Sequence, residues 1–339
     1  MGNKPITAIV GASGLVGRKM AQILEERDFP CERLLLFASE RSAGQKIAFR
    51  GGEIEILPVS DNSFEGVDIA LFSAGGAASK QYAPIAAKAG CVVIDNSSAW
   101  RMNPGVPLVV PEVNPEALAS HKGIIANPNC STIQMVVALK PIEDELKLSR
   151  VIVSTYQSIS GAGQKGIDRL KREMMNPGQG DPMRRIALNA NFHEITDPAG
   201  FTVEELKMRN ETRKILNNPL LRIAVTCVRL PIMGGHGESV NFETEAPFDL
   251  EKLINILTKK PGLVIMDDPI NQVYPTPAVA EDRDEVFVGR LRIDHSARNS
   301  GHMWIVADNV RKGAATNAIR IAEELIRRDL LKFPPGAEF

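Results

Sequence analysis

Among the cysteines of this chain, Cys130 has the surroundings that favour chemistry. It lies in the segment 127–132 (NPNCST), directly before the apolar run 133–139. Because Asn-Pro-Asn disfavours helical backbone, the pattern predicts a helix that begins near Cys130 and is kinked or ended by Pro141. A helix N-terminus favours the thiolate, which attacks the carbon of a carbonyl group or an acyl phosphate. Cys130 is therefore a candidate nucleophile.

The other cysteines lie in or beside apolar runs, where a buried thiol is the ordinary outcome. These are Cys31, Cys91 and Cys227. There is no CxxC pair and no close ligand spacing of the zinc-site kind, so no metal is expected. Scattered cysteines in a long chain indicate a reducing cytoplasm rather than a disulfide framework.

A thiol nucleophile needs a proton partner, and His236 is a candidate. It is flanked by glycines in the segment 234–237 (GGHG), which predicts a histidine exposed in a cleft. A lone histidine is more often structural, so the spacing alone leaves the role of His236 open.

A glycine-rich turn near the N-terminus indicates a nucleotide site. Residues 11–17 (GASGLVG) follow an apolar run at 6–10 and open an amphipathic stretch at 15–26, in the order strand, turn, helix. Glycines let backbone N–H groups approach a phosphate, and the helix N-terminus adds partial positive charge. Position 13 is Ser, so the spacing is GxxGxxG rather than GxGxxG, and an ordinary turn is the alternative. The residues expected to bind the nucleotide are Gly11, Ser13, Gly14, Leu15 and Val16.

The loop after the second predicted strand bears on which nucleotide binds. NAD enzymes usually place an acid there to hold the ribose 2′-hydroxyl. Here Ser39, Arg41 and Ser42 can hold a 2′-phosphate instead, with a charge-assisted contact from Arg41. This favours NADP, although Glu40 argues against it and Arg41 could be a solvated loop charge.

Composition and periodicity bound the fold. The chain has 339 residues, 44% hydrophobic and 24% charged, with a net charge of −1. This is typical of a globular protein of about two domains, and it gives no reason to expect nucleic-acid or membrane binding. Strands alternate with helices in the first part, which predicts an α/β domain with a doubly wound parallel sheet of the Rossmann type.

After about residue 129 the pattern changes to several strands with few helices, which predicts an α+β domain on a mixed sheet. Strands are expected near 151–156, 222–230, 239–245 and 286–293, with a long loop at 174–200. A capping box at Thr202 predicts a helix to about Leu216. A last helix is expected from about Asn309 to Leu331.

The chain resembles the aspartate-semialdehyde dehydrogenase family over essentially its whole length. Nine segments carry the resemblance, in order along the chain: 11–17, 39–44, 97–103 (SSAWRMN), 109–114 (VVPEVN), 127–132, 156–163 (YQSISGAG), 204–207 (EELK), 227–229 (CVR) and 235–239 (GHGES). The resemblance implies an NADP-binding domain at 1–128, joined by a C-terminal helix at 309–339, and a catalytic and dimerisation domain at 129–308. It also implies a homodimer or homotetramer.

The implied reaction is the NADPH-dependent reductive dephosphorylation of L-aspartyl-4-phosphate to L-aspartate-4-semialdehyde and phosphate. It serves the biosynthesis of lysine (through diaminopimelate), threonine, methionine and isoleucine. By the resemblance, Cys130 is the nucleophile of a thioacyl intermediate and His236 is the acid–base group. Gln157 positions the acyl group, Arg229 binds the α-carboxylate and Glu204 binds the α-ammonium.

Five further roles follow from the same resemblance. Arg101 and Lys207 are expected to bind phosphate. Ser160 and Gly161 are expected to line the nicotinamide, and Asn309 is expected to reach the cofactor from the last helix.

For the helix that starts at Thr202, the residue spacing alone and the resemblance give different predictions. Glu204, Lys207, Glu211 and Lys214 share one face at i, i+3 and i+4 spacing, which taken alone predicts a solvated, salt-bridged surface. The resemblance changes this expectation for Glu204 and Lys207 only, so Glu211 and Lys214 are still expected to be solvated.

Two other functions remain open at this point. N-acetyl-γ-glutamyl-phosphate reductase shares the thiol chemistry and the two-domain plan. The amine of its substrate is acetylated and uncharged, however, so that enzyme does not need a carboxylate at the position of Glu204. A non-catalytic nucleotide-binding paralogue is the other alternative, and the presence of Cys130 and His236 argues against it.

Overall fold

The computed structural model describes residues 4–176, 178 and 180–333, which form two compact units. One unit holds residues 4–128 and 314–333, and the other holds residues 129–313. Cys130 is the second residue of the second unit. Within the described ranges, no helix has both the length and the apolarity that crossing a bilayer requires.

The first unit is built on a sheet that has seven strands among its described residues. They are β1 (Ile6–Val10), β2 (Arg33–Ala38), β3 (Lys46–Phe49), β4 (Gly52–Pro58), β5 (Ile69–Phe72), β6 (Val92–Asp95) and β7 (Ile124–Ala126). Their order is β3-β4-β2-β1-β5-β6-β7, and every pair is parallel except β3 with β4. The expected doubly wound parallel sheet is confirmed.

The strand order makes the end of β1 a binding crevice. The chain leaves β1 for β2 on one side and later returns to β5 on the other side. Crossovers that diverge in this way open a crevice at the carboxyl end of the central strand, where open α/β sheets bind their ligands. The glycine-rich turn at 11–17 directly follows β1, so it lies at this crevice.

Helices complete the core of the first unit. They are α1 (Leu15–Glu26), α2 (Gly76–Lys88) and, at the C-terminal end, α8 (Asn317–Arg327). The predicted apolar stripe of α1 is confirmed, because Met20, Ile23 and Leu24 are fully buried. From α8, Ile319 and Leu325 join the same apolar core.

The second unit also has a sheet of seven strands within the described residues. They are β8 (Leu148–Gln157), β9 (Asn191–Phe192), β10 (Arg222–Arg229), β11 (His236–Thr244), β12 (Leu263–Ile265), β13 (Val286–Ile293) and β14 (Ser300–Ala307). Their order is β12-β13-β14-β11-β8-β10-β9, with β8–β10 and β12–β13 parallel and the other pairs antiparallel. The expected mixed sheet is confirmed.

One face of this sheet is covered by α3 (Cys130–Leu146), whose residues 133–139 are buried on all sides. A helix that is apolar all round belongs in an interior, and this burial fixes the position of its first residue. The other helices of the unit are α4 (Gly163–Met175), α5 (Val203–Ile215), α6 (Leu250–Thr258) and α7 (Pro277–Ala280).

The sequence predicts that Pro141 kinks or ends the helix. The second alternative is wrong, because α3 does not end at Pro141 but continues to Leu146. An internal proline removes one helical hydrogen bond, but Ile142 and Leu146 are fully buried beyond it, and this packing retains the last turns. The described residues of 176–200 are irregular as expected apart from β9. Helix α4 was not predicted, and it extends to Met175, into the start of the expected loop.

The last helix begins later than expected. Asn309 lies in a turn of the second unit, and the chain passes through a π-helical stretch at Arg311–Thr316 before α8 begins at Asn317. Asp308 Oδ1 accepts hydrogen bonds from the backbone N–H groups of Val310 (2.9 Å) and Arg311 (2.8 Å). This is the pattern of an N-cap, and it lies at the start of the π-helical stretch.

Candidate active site

Cys130 is the first residue of α3, as predicted. Asn129 is the N-cap, and its Oδ1 accepts hydrogen bonds from the N–H groups of Ser131 (3.0 Å) and Thr132 (3.4 Å). Cys130 is partly exposed, whereas the other three cysteines are buried. A partly exposed sulfur at a helix N-terminus is the environment of a reactive thiol.

Gly313 restricts the space beside this thiol. A Cβ atom added to Gly313 would lie 2.6 Å from the Cβ of Cys130 and 3.0 Å from its Cα. Real Cβ atoms essentially never approach other atoms this closely, so any larger residue would push against the start of α3.

Two carboxylates of α5 anchor the start of α3. The side-chain amide of Asn129 donates to Glu204 Oε1 (2.8 Å), and its backbone N–H donates to Glu211 Oε2 (2.7 Å). Glu211 is 1% exposed, so the prediction that Glu211 is solvated is wrong. The reason is tertiary: this face of α5 packs on the N-terminus of α3, whose dipole favours negative charge. Lys214, on the same face, is half-buried, so it is not fully solvated either.

Helix α5 is itself held by the predicted capping box. Glu205 donates its N–H to Thr202 Oγ1 (3.3 Å) and accepts from the N–H of Thr202 at 2.8 Å. One residue earlier, Glu204 is 7% exposed. Burial by itself would raise the pKa of Glu204, but Lys207, His193 and Asn129 lower it to about 2. Glu204 is therefore an ionised carboxylate, with Lys207 Nζ at 3.1 Å from its Oε2.

Gln157, the last residue of β8, is hydrogen-bonded to the start of α3. Its Nε2 donates to Ser131 Oγ (2.8 Å) and lies 3.3 Å from Glu204 Oε1. Gln157 is 1% exposed, and both contacts fix the orientation of its amide. The structure therefore groups Gln157 and Glu204 with the residues that flank Cys130.

Arg229 ends β10 and pairs in register with Gln157 of β8. Its Nη1 donates to the carbonyl oxygen of Ser158, and its Nη2 lies 2.8 Å from His193 Nε2. Burial lowers the pKa of Arg229, while Cys130 and Glu204 oppose this shift and favour the charged form. A guanidinium near the thiol and near an ionised carboxylate can bind one end of an amino-acid substrate.

His236 is fully buried, so the prediction of an exposed histidine is wrong. Its neighbouring glycines serve packing instead. A Cβ added at Gly237 would lie 2.4 Å from the Trp304 ring, and one at Gly235 would lie 2.9 Å from Pro277. Glycine on both sides therefore lets other side chains close over the histidine.

The hydrogen bonds of His236 fix its tautomer. The N–H of Ser158 donates to Nδ1 (3.0 Å), so this nitrogen must carry a lone pair. Burial first, and then the charge of Arg229, lower the pKa of His236 to about 3. The ring is thus neutral with its proton on Nε2, for which the described residues offer no hydrogen-bond acceptor. A buried N–H of this kind can donate a proton or a hydrogen bond to a substrate oxygen.

Asn309 lies behind His236 and not on a helix. Its Oδ1 accepts hydrogen bonds from the hydroxyls of Ser158 and Ser160 and from the N–H of Gly235, each at 3.0 Å. The network joins the turn after β8 to the segment before β11. Gly161 is exposed beside it, and a Cβ added there would lie 2.9 Å from Arg229 Nη1 and 3.7 Å from His236 Nε2.

In the first unit, the glycine-rich turn has the geometry of a phosphate loop. Gly11 has a φ of +89°, and an added Cβ would lie 2.6 Å from the carbonyl oxygen of Ser73. At Gly17 an added Cβ would lie 2.3 Å from the oxygen of Gly11, so glycine lets α1 approach the turn. The N-cap Gly14 provides no side-chain acceptor, and the helix N-terminus is open to a phosphate at this exposed residue. Ser13, Leu15 and Val16, the other predicted nucleotide contacts, are partly exposed here.

The predicted 2′-phosphate residues follow β2 on a short 3₁₀ turn at Glu40–Ser42. Ser39 and Arg41 are exposed and Ser42 is half-exposed. Ser39 precedes the turn without capping it through its side chain, so its hydroxyl is available to a ligand. Glu40 is exposed beside them, so the turn presents both signs of charge.

Arg101 belongs to the first unit and is 7% exposed. Its Nε donates to the carbonyl oxygen of Asn127 (2.9 Å) and its Nη2 to that of Asn96 (2.8 Å). These two carbonyl oxygens orient the guanidinium, which also interacts electrostatically with Asp95. The segment 127–132 thus begins at a residue that Arg101 holds.

Four residues of the site were not identified from the sequence: Ser158, His193, Glu211 and Gly313. Ser158 lies in the segment 156–163 and acts through its hydroxyl and its backbone, and sequence carries no direct signal for the backbone contacts. His193 lies in the irregular stretch that composition marks only as a loop. Glu211 and Gly313 act through contacts between distant parts of the chain, which local patterns cannot show.

Comparison with known proteins first defines the class. A family model described as "Semialdehyde dehydrogenase, NAD binding domain" matches residues 6–121. A second, described as "Semialdehyde dehydrogenase, dimerisation domain", matches residues 139–312. The fold and the matched families place the chain among the semialdehyde dehydrogenases, oxidoreductases with a nucleotide-binding domain.

Individual relatives show which family within the semialdehyde dehydrogenases the chain belongs to. The chain is 53% identical to aspartate-semialdehyde dehydrogenase of Aquifex aeolicus over 96% of this chain and 98% of that one. It is 48% identical to the Bacillus subtilis enzyme over 98% and 100%. The crystal structure of aspartate-semialdehyde dehydrogenase II from Vibrio cholerae superposes with a TM-score of 0.92 at 47% identity, covering 96% of this chain and 99% of that one. The chain belongs to the aspartate-semialdehyde dehydrogenase family, whose enzymes serve amino-acid biosynthesis.

Proposed function

We propose that the protein reduces L-aspartyl-4-phosphate to L-aspartate-4-semialdehyde and phosphate with NADPH, through a thioacyl intermediate on Cys130. The observation that carries the proposal is the grouping in one unit of a helix-start thiol, an ionised Glu204 and a charged Arg229. This grouping matches a substrate with an electrophilic carbon, an ammonium and a carboxylate.

Substrate selection follows from the two charges. Arg229 would bind the α-carboxylate through paired N–H···O bonds, and Glu204 would bind the α-ammonium. An acetylated amine carries no positive charge, so it would leave the buried carboxylate of Glu204 without a new partner. The ionised state of Glu204 therefore supports an aspartyl substrate over an N-acetylglutamyl one.

The phosphate would be held by Lys207 and Arg101. Lys207 Nζ now pairs with Glu204, 3.1 Å away. A substrate that brings its own ammonium to Glu204 would release part of this attraction and leave Lys207 for the phosphate. Arg101 is oriented by the carbonyl oxygens of Asn127 and Asn96.

The chemistry begins with attack of the Cys130 thiolate on the acyl carbon, which forms a C–S bond and breaks the bond to phosphate. Gln157, fixed by Ser131 and Glu204, would orient the acyl group. The neutral His236 would donate a hydrogen bond from Nε2 to the acyl oxygen as negative charge develops there. NADPH, when bound, supplies the hydride that reduces the thioester carbon. Cleavage of the C–S bond then releases the aldehyde and restores the thiolate.

NADP is proposed as the cofactor because residues of the first unit fit its pyrophosphate and its 2′-phosphate. The open helix N-terminus after Gly14 suits the pyrophosphate, and Ser39, Arg41 and Ser42 suit a 2′-phosphate. Ser160, Gly161 and Asn309 would lie at the nicotinamide end. The exposed Glu40 predicts that the preference over NAD is moderate.

A homodimer is proposed through the outer face of the second sheet. Along β8, Val151, Val153 and Thr155 are buried, whereas Tyr156 on the opposite face is 38% exposed and packs on Trp304 with ring centroids 5.5 Å apart. Exposed aromatic side chains on a sheet face are typical of an interface. Light scattering after size exclusion should give twice the mass of the chain, and a monomer at working concentrations would contradict it.

The function is tested by a spectrophotometric assay in the oxidative direction. Purified protein with phosphate should reduce NADP when given aspartate semialdehyde, and both cofactors and both semialdehydes should be compared. Turnover of N-acetylglutamate semialdehyde but not of aspartate semialdehyde would overturn the assignment in favour of the reductase. Binding of NADPH without turnover of either aldehyde would indicate a non-catalytic paralogue.

The nucleophile is tested by Cys130→Ala, with Cys31→Ala as the matched control. Cys130→Ala should abolish turnover while NADPH still binds, as measured by quenching or enhancement of its fluorescence. Cys31 is buried in the first unit, so Cys31→Ala should retain turnover. Normal turnover by Cys130→Ala would remove the thioacyl mechanism.

A further inference from the structure

His193 has a contact that the proposed reaction does not explain. It follows β9, the edge strand that pairs with β10, and its Nε2 lies 2.8 Å from Nη2 of Arg229. The inference below rests on the proposed function, because it concerns how Arg229 recognises the substrate carboxylate.

The contact fixes the protonation of the imidazole. A guanidinium nitrogen can only donate a hydrogen bond, so Nε2 of His193 must accept it. The ring is therefore neutral, with its proton on Nδ1. Burial lowers the pKa of His193, Glu204 opposes this effect, and Arg229 adds to it, so the net shift also favours the neutral ring.

The identity of the acceptor matters as much as its position. Arg229 is held by two acceptors, the carbonyl oxygen of Ser158 and the ring nitrogen of His193. Neither carries a charge. An aspartate or glutamate in the place of His193 would orient the guanidinium equally well, but it would occupy the site as an anion and compete with the substrate carboxylate.

We propose that His193 is a positioning residue that holds Arg229 in the orientation for the substrate carboxylate, and that substrate affinity falls when the His193 ring becomes protonated. Protonation would replace the acceptor with an N–H donor and place two cations at hydrogen-bond distance. Arg229 would then have to turn away, and the carboxylate would lose its paired contact.

The charged and titratable groups around His193 define the pH effect. Arg229 faces the His193 ring from β10, and Glu204 and Lys207 face it from α5. His236 also interacts with the His193 ring electrostatically. Glu204 and Arg229 keep their charge over the range in which a histidine titrates. Since the pKa of His193 is lowered, the KM for semialdehyde should be constant near neutral pH and rise on the acidic side.

Two variants separate the hydrogen bond from the pH effect. His193→Gln retains an acceptor at the same reach but cannot titrate, and His193→Leu has no acceptor. His193→Leu should raise the KM for aspartate semialdehyde about 10-fold, the range of one charge-assisted hydrogen bond, with kcat and the KM for phosphate within about twofold. His193→Gln should have nearly the wild-type KM and should lack the acidic rise.

The tautomer can be measured without turnover. In the protein labelled with ¹⁵N-histidine, the His193 ring, assigned by its loss in His193→Gln, should show a protonated Nδ1 and an unprotonated Nε2 at neutral pH. An unprotonated Nδ1, an unchanged KM in His193→Leu, or the same acidic rise in His193→Gln would each overturn the proposal. These results are distinct from a failure of the proposed function, in which the wild-type protein would not turn over aspartate semialdehyde at all.

Discussion

Gly161→Ala should weaken substrate binding by moving Arg229. The added Cβ would lie 2.9 Å from Arg229 Nη1, whereas ordinary contacts begin near 3.4 Å, so this nitrogen must move by at least about 0.5 Å (3.4 − 2.9). Nη1 is the end of a flexible side chain, so the side chain moves and the fold does not. The hydrogen bond from Nη1 to the carbonyl oxygen of Ser158 is then stretched or lost.

The size of the effect follows from that hydrogen bond. A charge-assisted hydrogen bond contributes about 1.5–3 kcal/mol, so its partial loss should cost about 1–2 kcal/mol, or roughly 5- to 30-fold in kcat/KM. Most of the change should be in the KM for aspartate semialdehyde. His236 Nε2 lies 3.7 Å from the added Cβ, which is an ordinary contact, so kcat should change less.

The assay is steady-state kinetics of Gly161→Ala, Arg229→Leu and the double variant, with each substrate varied in turn. Because Gly161→Ala acts through Arg229, it should cost little in the Arg229→Leu background. Gly76→Ala is the control, since a Cβ there meets open space at the start of α2. A full additional loss in the double variant, or a change confined to the KM for NADP, would refute the reasoning. The second outcome would mean that Gly161 serves the nicotinamide instead.

Two other substitutions test the surroundings of the thiol. Gly313→Ala should lower kcat by about 100-fold, the loss that a 1 Å misplacement can cause, because the new Cβ meets the Cβ and Cα of Cys130 and not a flexible chain end. Measurements of kcat and of the rate of Cys130 alkylation test this prediction. Wild-type values for both would contradict it. Glu204→Gln tests the lowered pKa. A carboxylate whose pKa falls from 4.5 to about 2 on folding stabilises the native state by about 3 kcal/mol above pH 4.5, and this is lost as the pH falls from 4.5 towards 2. Urea unfolding across this range should therefore show the wild type losing its advantage over Glu204→Gln as the pH falls, and a constant difference would refute the shift.

The sequence predicted what depends on neighbours along the chain. The start of α3 near Cys130, the Thr202 capping box and the buried stripe of α1 are confirmed, because each is set by residues within about one or two helical turns. The parallel and mixed sheets were also predictable from strand spacing. The roles given to Cys130 and Arg229 remain proposals, and they came from the resemblance as much as from local chemistry.

The errors share one physical origin, which is contact between segments distant in sequence. The glycines beside His236 predict exposure, but they allow Trp304 and Pro277 to pack there. The helix pattern predicts a surface charge at Glu211, but its carboxylate accepts a hydrogen bond from a backbone N–H 82 residues away. Glycine and glutamate each have a common local use and a rarer tertiary one, and a single sequence does not distinguish them.

The same tertiary contacts give the site its electrostatic order. His236 and His193 each accept a hydrogen bond from a group that can only donate, the N–H of Ser158 and the guanidinium of Arg229, so both rings are held neutral. With the histidines uncharged, Arg229 would keep its charge for a carboxylate and Glu204 for an ammonium, as the proposed function requires. Under that proposal, the site would recognise a zwitterionic substrate by charge and would leave the Nε2 proton of His236 for the oxygen at the reacting carbon.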